Sequence, residues 1–425
     1  MDKKAVTKDN HYFLKELETL SRDALKNLQF EKTKQTLERA YHKSAFYRQR
    51  FDKARGKPDD FKTLADISRF PFIDKQDLIK DQEENPPFGS RVCAPSEKIR
   101  RIGLLNNDFP IRAEEAEMKS GSNLEKVLEA GHFAFTGELG PPRGCDVEEV
   151  IEKAQHLKGM VDSVNITDNQ TAMVRMSSWA ASLILLQEGL EPNFQMVCRD
   201  RNRLAMQADI LGAYAHGIRN MLCLSGDHQM FGDHPLARGV FDIDSVQLIN
   251  MVKIMRDEGT FQSGAELHGS PKMFIGAASN PFADPFEWRV HRLAKKVNAG
   301  CDFIQTQCIY NMEKFRKFIK QANDMGLTEK VYILAGVTPM KSVGMAKYMK
   351  NKVPGIEVPD EVIKRLQGAG KGKVADEGIK FACEQVEEFK EMKGVHGVHM
   401  MAIEWEHMVP EIAERAKVLP RPVMD

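Results

Sequence analysis

The feature that most constrains this chain is an alternation that begins after Glu114. Eight short apolar runs (HFAFTGEL, SVNIT, FQMVC, NMLCLSG, MFIGAAS, FIQTQCIY, VYILAGV and GVHMMAI) are separated by stretches of helical periodicity. Helices are expected at Glu148–Gly159, Arg201–His216, Phe286–Ala299, Met312–Met325 and Asp376–Met392, among others. Short apolar runs without strict polar alternation suit strands buried on both faces, and strand–helix repetition makes neighbouring strands parallel. Eight such units predict an α/β fold, a closed (β/α)8 TIM barrel. An open doubly wound sheet is the alternative, but eight units are many for it, and no GxGxxG follows the first strand.

The front of the chain has another texture. Leu14, Leu17, Leu20 and Leu25, and again Leu37, Ala40, Tyr41 and Phe46, fall at helical spacing. Pro58, Pro71, Pro86, Pro87 and Pro95 then cut the chain into short pieces. The expected organisation is a small, mainly helical segment over 1–102, a polar linker over 103–113, and the barrel over 114–425.

Charge and cysteines narrow the function. The 61 Lys and Arg against 61 Asp and Glu leave no basic excess for nucleic acid. No run reaches the roughly 18 apolar residues of a membrane span, and MDKKAVTKDNHYF lacks the apolar core of a signal peptide. Cys93, Cys145, Cys198, Cys223, Cys301, Cys308 and Cys383 are scattered and form no CxxC pair. Reduced thiols in a cytoplasmic protein are expected, without a cysteine zinc site.

Barrels of this type hold their chemistry at the C-terminal ends of the strands. That rule selects Glu138, Thr167, Cys198, Asp227, Asn280, Gln307 and Thr338. Glu138, backed by the rigid Pro141–Pro142 pair, reads either as a general acid at the mouth or as a solvated acid beside a turn. Asp227 follows a glycine that lets backbone approach a ligand, or it caps the next segment. Gln305 and Gln307 share a face by the period of two, so they meet a polar ligand or each other. GAGKGK (368–373) lacks full phosphate-loop spacing and has Val374 where Ser or Thr should follow. His396 and His399 fall on opposite faces of one strand, and His228, Asp233 and His234 read as ordinary loop residues. No metal site is expected.

From Met118 to Pro422 the strings FTGELGPPRG, VNIT, QMVCRDRNR, LCLSGD, DSVQL, GAASNPFADP, KKVNAGCDFIQTQ, ILAGVTP and IEWEHMVPEI occur in order. Together they resemble the methylenetetrahydrofolate reductase family, in wording closer to the branch of anaerobic one-carbon pathways than to the enterobacterial branch. The resemblance implies a flavoprotein oxidoreductase that reduces 5,10-methylenetetrahydrofolate to 5-methyltetrahydrofolate by hydride transfer from reduced flavin, with FAD expected and FMN the alternative. It implies Glu138 as the general acid at folate N10, Asp227 beside the flavin pyrimidine edge, and Gln307 as the amide that orients the pterin. Thr167, Gln195, Ser225, Gly226, Asp227, Phe241, Asp242, Ala278, Asn280 and Lys296 fall on flavin-contacting positions, with Lys296 suited to the pyrophosphate.

Several positions depart from the family's pattern. Gln195 stands for a histidine, Ser225 for an arginine, and Asn280 and Asp284 for a tyrosine and a histidine. Leu366 takes the place of the aromatic that stacks nicotinamide. The donor therefore stays open between NAD(P)H and another electron carrier, with a partner subunit or electron-transfer protein and a homo-oligomer as the assemblies implied. A folate-dependent methyltransferase on the same barrel, or an inactive fusion, is the rival reading. The front segment, LERAYHKSAFYRQRFDKARGKPDDFKTLADISRFPFIDKQDL, is similar to the N-terminus of phenylacetate–coenzyme A ligases. The Ser/Thr/Gly-rich phosphate loop of those enzymes does not follow Ile102, so adenylation is not implied, and exposed apolar surface is expected.

Overall fold

A computed structural model describes residues 20–71, 73, 77, 80, 81, 84, 85, 90, 118–353 and 355–424. The linker expected at 103–113, together with Cys93, Leu14, Leu17, Pro86, Pro87 and Pro95, lies outside the described residues. The chain divides into two compact units, Met1–Glu115 and Ala116–Asp425.

In the first unit, helices α1 (Arg22–Lys43) and α2 (Ala45–Lys53) meet at Ser44, which ends one and caps the other by accepting from the Tyr47 N–H. Leu37, Phe51, Phe61 and Phe70 form a small core, with Phe30, Ala40 and Tyr41 packed on it. Leu25 is 42% exposed, so helical spacing there did not mean burial. Beside the core runs a largely apolar groove lined by Leu37, Ala40, Tyr47, Phe51, Phe70 and Ile73.

In the second unit, α3 (Asn123–Glu129) precedes β1 (Ala134–Leu139), α4 (Val147–Leu157), β2 (Ser163–Ile166), α5 (Ser178–Gln187), β3 (Pro192–Val197), α6 (Arg203–Ala215) and β4 (Asn220–Leu224). There follow α7 (Ser245–Asp257), β5 (Phe274–Ser279), α8 (Arg289–Ala299), β6 (Phe303–Cys308), α9 (Met312–Asp324) and β7 (Tyr332–Val337). The last turn of the cycle is longer: α10 (Val343–Lys352), α11 (Asp360–Gly368) and α12 (Val374–Lys390) precede β8 (Gly397–Met400), and α13 (Val409–Arg415) closes the fold. The eight strands form a closed barrel, each parallel to its neighbours, with β1 pairing β8. This is the TIM barrel that the alternation predicts. Every residue of β2, β3 and β8 is buried, as strands enclosed on both faces must be. Helix starts follow their caps: α4 begins after Asp146 and α6 after Asn202, whose side chain accepts from the Ala205 N–H.

The N-terminal end of the barrel is plugged. Leu124, Val127 and Leu128 of α3 pack on Ala134, Leu222, Phe274, Phe303 and Leu334, all five among the first three residues of their strands. The Glu191 carboxylate holds the plug by accepting from the N–H groups of Asn123 (2.5 Å) and Leu124 (3.0 Å) at the start of α3. Among the described residues, this packing leaves the C-terminal mouth of the barrel open. Among the described residues no helix is long and apolar enough to cross a membrane.

Candidate active site

A polar layer crosses the barrel interior just below the mouth. Thr136, Asn165, Gln305 and His399 are all buried. Gln305 Nε2 donates to Asn165 Oδ1 (3.0 Å), Asn165 Nδ2 returns a bond to Gln305 Oε1 (2.6 Å), and Asn193 Nδ2 donates to Asn165 Oδ1 (2.7 Å). His399 Nδ1 lies 3.0 Å from the Thr136 hydroxyl, and its Nε2 lies 3.4 Å from Glu138 Oε2. Glu138 stands two residues above Thr136 on the same face of β1, with its side chain 17% exposed. The imidazole thus links a buried amide layer to a carboxylate at the mouth. His396, just before β8, takes a different place: its Nδ1 accepts from the Ile333 N–H at 3.0 Å, and its ring meets Tyr332 edge-on.

The expected pairing of Gln305 with Gln307 on one face is corrected by a bulge. The register of β6 against β7 shifts between Gln305 and Cys308. Gln305 stays inside the barrel, whereas Gln307 is exposed at the mouth. Thr306 secures the bulge, accepting from the Gly336 N–H (2.9 Å) and donating to the Gln307 carbonyl (3.0 Å). Any Cβ at Gly336 would overlap the carbonyl oxygens of Thr306 and Gln307, so only glycine allows this approach.

The ends of β4, β5 and β6 open on a cleft of about 190 Å³ lined by Ser225, Ala278, Asn280, Arg289, Lys296 and Gln307, with Arg292 beside them. Lys296 is 8% exposed and donates to the Ala278 carbonyl at 2.5 Å. Its burial, and then repulsion from Arg292, lower its pKa below the ordinary lysine value. Arg289, Arg292 and Lys296 converge there, none of them within ion-pairing distance of a carboxylate among the described residues, and Asp244 of the adjoining cleft is the acid that acts on Lys296. An adjoining cleft, lined by Ser225, Phe241, Asp244, Gln247, Arg292 and Lys295, extends the same surface. Phe241 lies there in the left-handed region at φ +41°. At the end of β2, the Thr167 hydroxyl is buried with no hydrogen-bond partner among the described residues. An elongated ligand with an anionic centre and a hydrogen-bonding edge finds complementary groups along these strand ends.

The remaining expected positions fall outside the two clefts. Asp227 is exposed on the loop after β4, and Gly226 before it takes φ +87°. Asp242 is clasped by Arg203 (2.7 and 2.9 Å), whose hydrogen bonds pull its acid down to about 2. Gln195 is buried in β3, its N–H donating to Ser178 Oγ at 2.9 Å. Leu366 does not reach the mouth. It is 1% exposed on the inner face of α11, packed with Cys308, Tyr310, Met340 and Val362, and presents no surface for a nicotinamide ring. Burial pushes the Cys198 thiol up to about 12 and that of Cys308 up to about 11, and Thr338 lies buried 3.0 Å from Cys308 Sγ. Asp233 pairs with Arg143 and His234, while GAGKGK closes α11 and turns into α12. Among the described residues no group of three His, Cys, Asp or Glu is arranged to hold a metal.

Sequence reasoning passed over His399, which it weighed only as a metal ligand, and the two arginines of α8. Arg289, Arg292 and Lys296 recur at helical spacing after the fifth strand, which was the available signal.

The family model for methylenetetrahydrofolate reductase matches residues 123–417. A probable methylenetetrahydrofolate reductase (NADPH) of Caenorhabditis elegans is 25% identical over 57% of this chain and 36% of its own length. Methylenetetrahydrofolate reductase 2 of Schizosaccharomyces pombe is 24% identical over 72% of this chain and 48% of its own length. The front of the chain matches the phenylacetate–coenzyme A ligase of Escherichia coli K12, at 35% identity over 31% of this chain and 33% of that protein. The chain therefore spans a third to a half of the length of these curated relatives. The match over 123–417 takes in all eight strands, the polar layer and both clefts, and this chain belongs to the methylenetetrahydrofolate reductase family.

Proposed function

We propose that this chain reduces 5,10-methylenetetrahydrofolate to 5-methyltetrahydrofolate with the help of a bound flavin. The observation that carries this reading is the place of Glu138, a carboxylate at the mouth of a family barrel, 3.4 Å from a buried histidine and backed by a hydrogen-bonded amide layer. In the proton-bearing form, Glu138 donates to N10 of the folate and opens its five-membered ring. Asp227, a negative charge on the loop after β4, favours the cation that results. Gln307, lifted out of the barrel by the bulge, offers an amide to the edge of the pterin.

The residues present fit a flavin. The cations Arg292 and Lys296 suit its phosphates, Asn280 and Gln307 suit the ring edge, and the Thr167 hydroxyl, unpartnered among the described residues, can bond it. The second cleft, with Phe241, Arg292 and Lys295, continues past the first and favours the dinucleotide FAD over FMN. When bound, the flavin supplies the hydride. Electrons reach it from NAD(P)H or from another carrier.

Glu138→Gln tests the reading. The variant should keep its flavin and its reduction by donor, and lose folate reduction by about 10²–10⁴-fold. Folate turnover within about threefold of the parent protein would remove Glu138 from the acid role.

A further inference from the structure

We propose that Arg199 is a positioning residue for Asp227, a role that rests on the reading of the site given above. Asp227 is exposed, and among the described residues its carboxylate has no hydrogen-bond or ion-pair partner. Its position is therefore set by its backbone, and the backbone is held by Arg199. The Arg199 side chain is 3% exposed and lies beneath the loops that follow β2, β3 and β4. Nη1 donates to the Asp227 carbonyl at 3.0 Å, and Nη2 donates to the Asn169 carbonyl at 3.2 Å. Nε and Nη2 also grip the Asp200 carboxylate, both at 2.7 Å.

The backbone of the same residue closes the loop from its other side. The Arg199 N–H donates to the Ser225 carbonyl (3.1 Å), and the Val240 N–H donates to the Arg199 carbonyl (2.7 Å). Both ends of the loop that carries Asp227 are thus tied to one residue. Between Ser225 and Asp227, Gly226 at φ +87° lies flat on the stem of that arginine, where a Cβ would stand 3.2 Å from Arg199 Cβ and 3.0 Å from Val197 Cβ. The loop after β2 needs the same support, since Asn169, Thr171 and Ala172 all hold positive φ without being glycine. Only a planar guanidinium reaches this set of acceptors at once, because an ammonium donates from a single point.

Arg199→Lys keeps the charge and removes the fork. It should lower kcat for folate reduction by about 10–100-fold, with KM for the folate within about threefold, because a misplaced group costs rate more than binding. The flavin midpoint potential should rise, as it should in Asp227→Asn, because both changes take a negative charge away from the ring. The discriminating measurement is a double-mutant cycle. In an Asp227→Asn background, Arg199→Lys should change neither the rate by more than about twofold nor the potential. Asp200→Asn, which loosens the fork from its far side, should repeat the kcat loss more weakly and serves as the variant if Arg199→Lys fails to fold. Equal kcat losses in both backgrounds overturn the positioning role, as does an Arg199→Lys protein with the parent's kcat and potential. An Asp227→Asn protein indistinguishable from the parent overturns instead the role given to Asp227 itself.

Discussion

His399 has two partners, and each sets the other. The Thr136 hydroxyl either donates to His399 Nδ1 or accepts from it while donating to the Val398 carbonyl (3.4 Å), and the tautomer then decides whether Nε2 donates to Glu138 or accepts from it. The acid form of Glu138 is matched by the tautomer in which Nε2 accepts. Replacing His399 by Phe removes that contact. It should keep the flavin and lower single-turnover folate reduction by about 10–100-fold, the cost of one hydrogen bond to an ionisable group. An unchanged rate would detach the imidazole from the chemistry. Asp227→Asn should raise the flavin potential in a redox titration, and a lower or unchanged value would place Asp227 away from the ring. At this scale the strand-end rule selects Glu138, Asp227 and Gln307 from the sequence, and they lie near the end of β1, on the loop after β4 and near the end of β6. His399 was not legible there, because its neighbours along one strand say nothing of its partner. Its partner stands 261 residues away, brought near only by the β1–β8 closure.

Between residues and the whole molecule, the elements show where pattern reading works and where it stops. Eight strands were legible because a parallel barrel demands an apolar run for each. The β6 bulge was not, since it depends on the absence of a side chain at Gly336, a strand away. Gly336→Ala should therefore destabilise the barrel by about 1–3 kcal/mol through backbone overlap, read as a lower midpoint in urea. The long connection between β7 and β8 also escaped, and Leu366, which the resemblance sets in place of the nicotinamide-stacking aromatic, is buried on the inner face of α11. His396 gives a pH test of the β7–β8 seam. Burial lowers its pKa from the ordinary 6.5, so below pH 6.5 the unfolded chain takes up a proton that the folded chain refuses. Stability from this group thus falls as pH drops below 6.5, until the lowered folded pKa is reached. His396→Gln should melt closer to the parent protein at pH 5 than at pH 7. A gap that stays constant across that range would show that the histidine does not titrate on unfolding.

For the whole chain, the division into units at Glu115 and Ala116 bears on what the front segment does. Every group proposed for chemistry lies at or beyond Glu138, and the barrel has its own plug, core and closure. A chain beginning at Glu114 should accordingly keep its flavin, its melting temperature within a few degrees and its turnover. Loss of flavin in that shortened protein would make the front segment part of the fold. The central claim concerns the reaction itself, and anaerobic single turnover tests it most directly. Protein whose flavin has been bleached is mixed with 5,10-methylenetetrahydrofolate, and the flavin absorbance and the folate product are followed together. The account predicts that colour returns as 5-methyltetrahydrofolate forms in equal amount, and that Glu138→Gln stays bleached. A parent protein that binds no flavin, or whose bleached flavin persists in the presence of the folate, would contradict it.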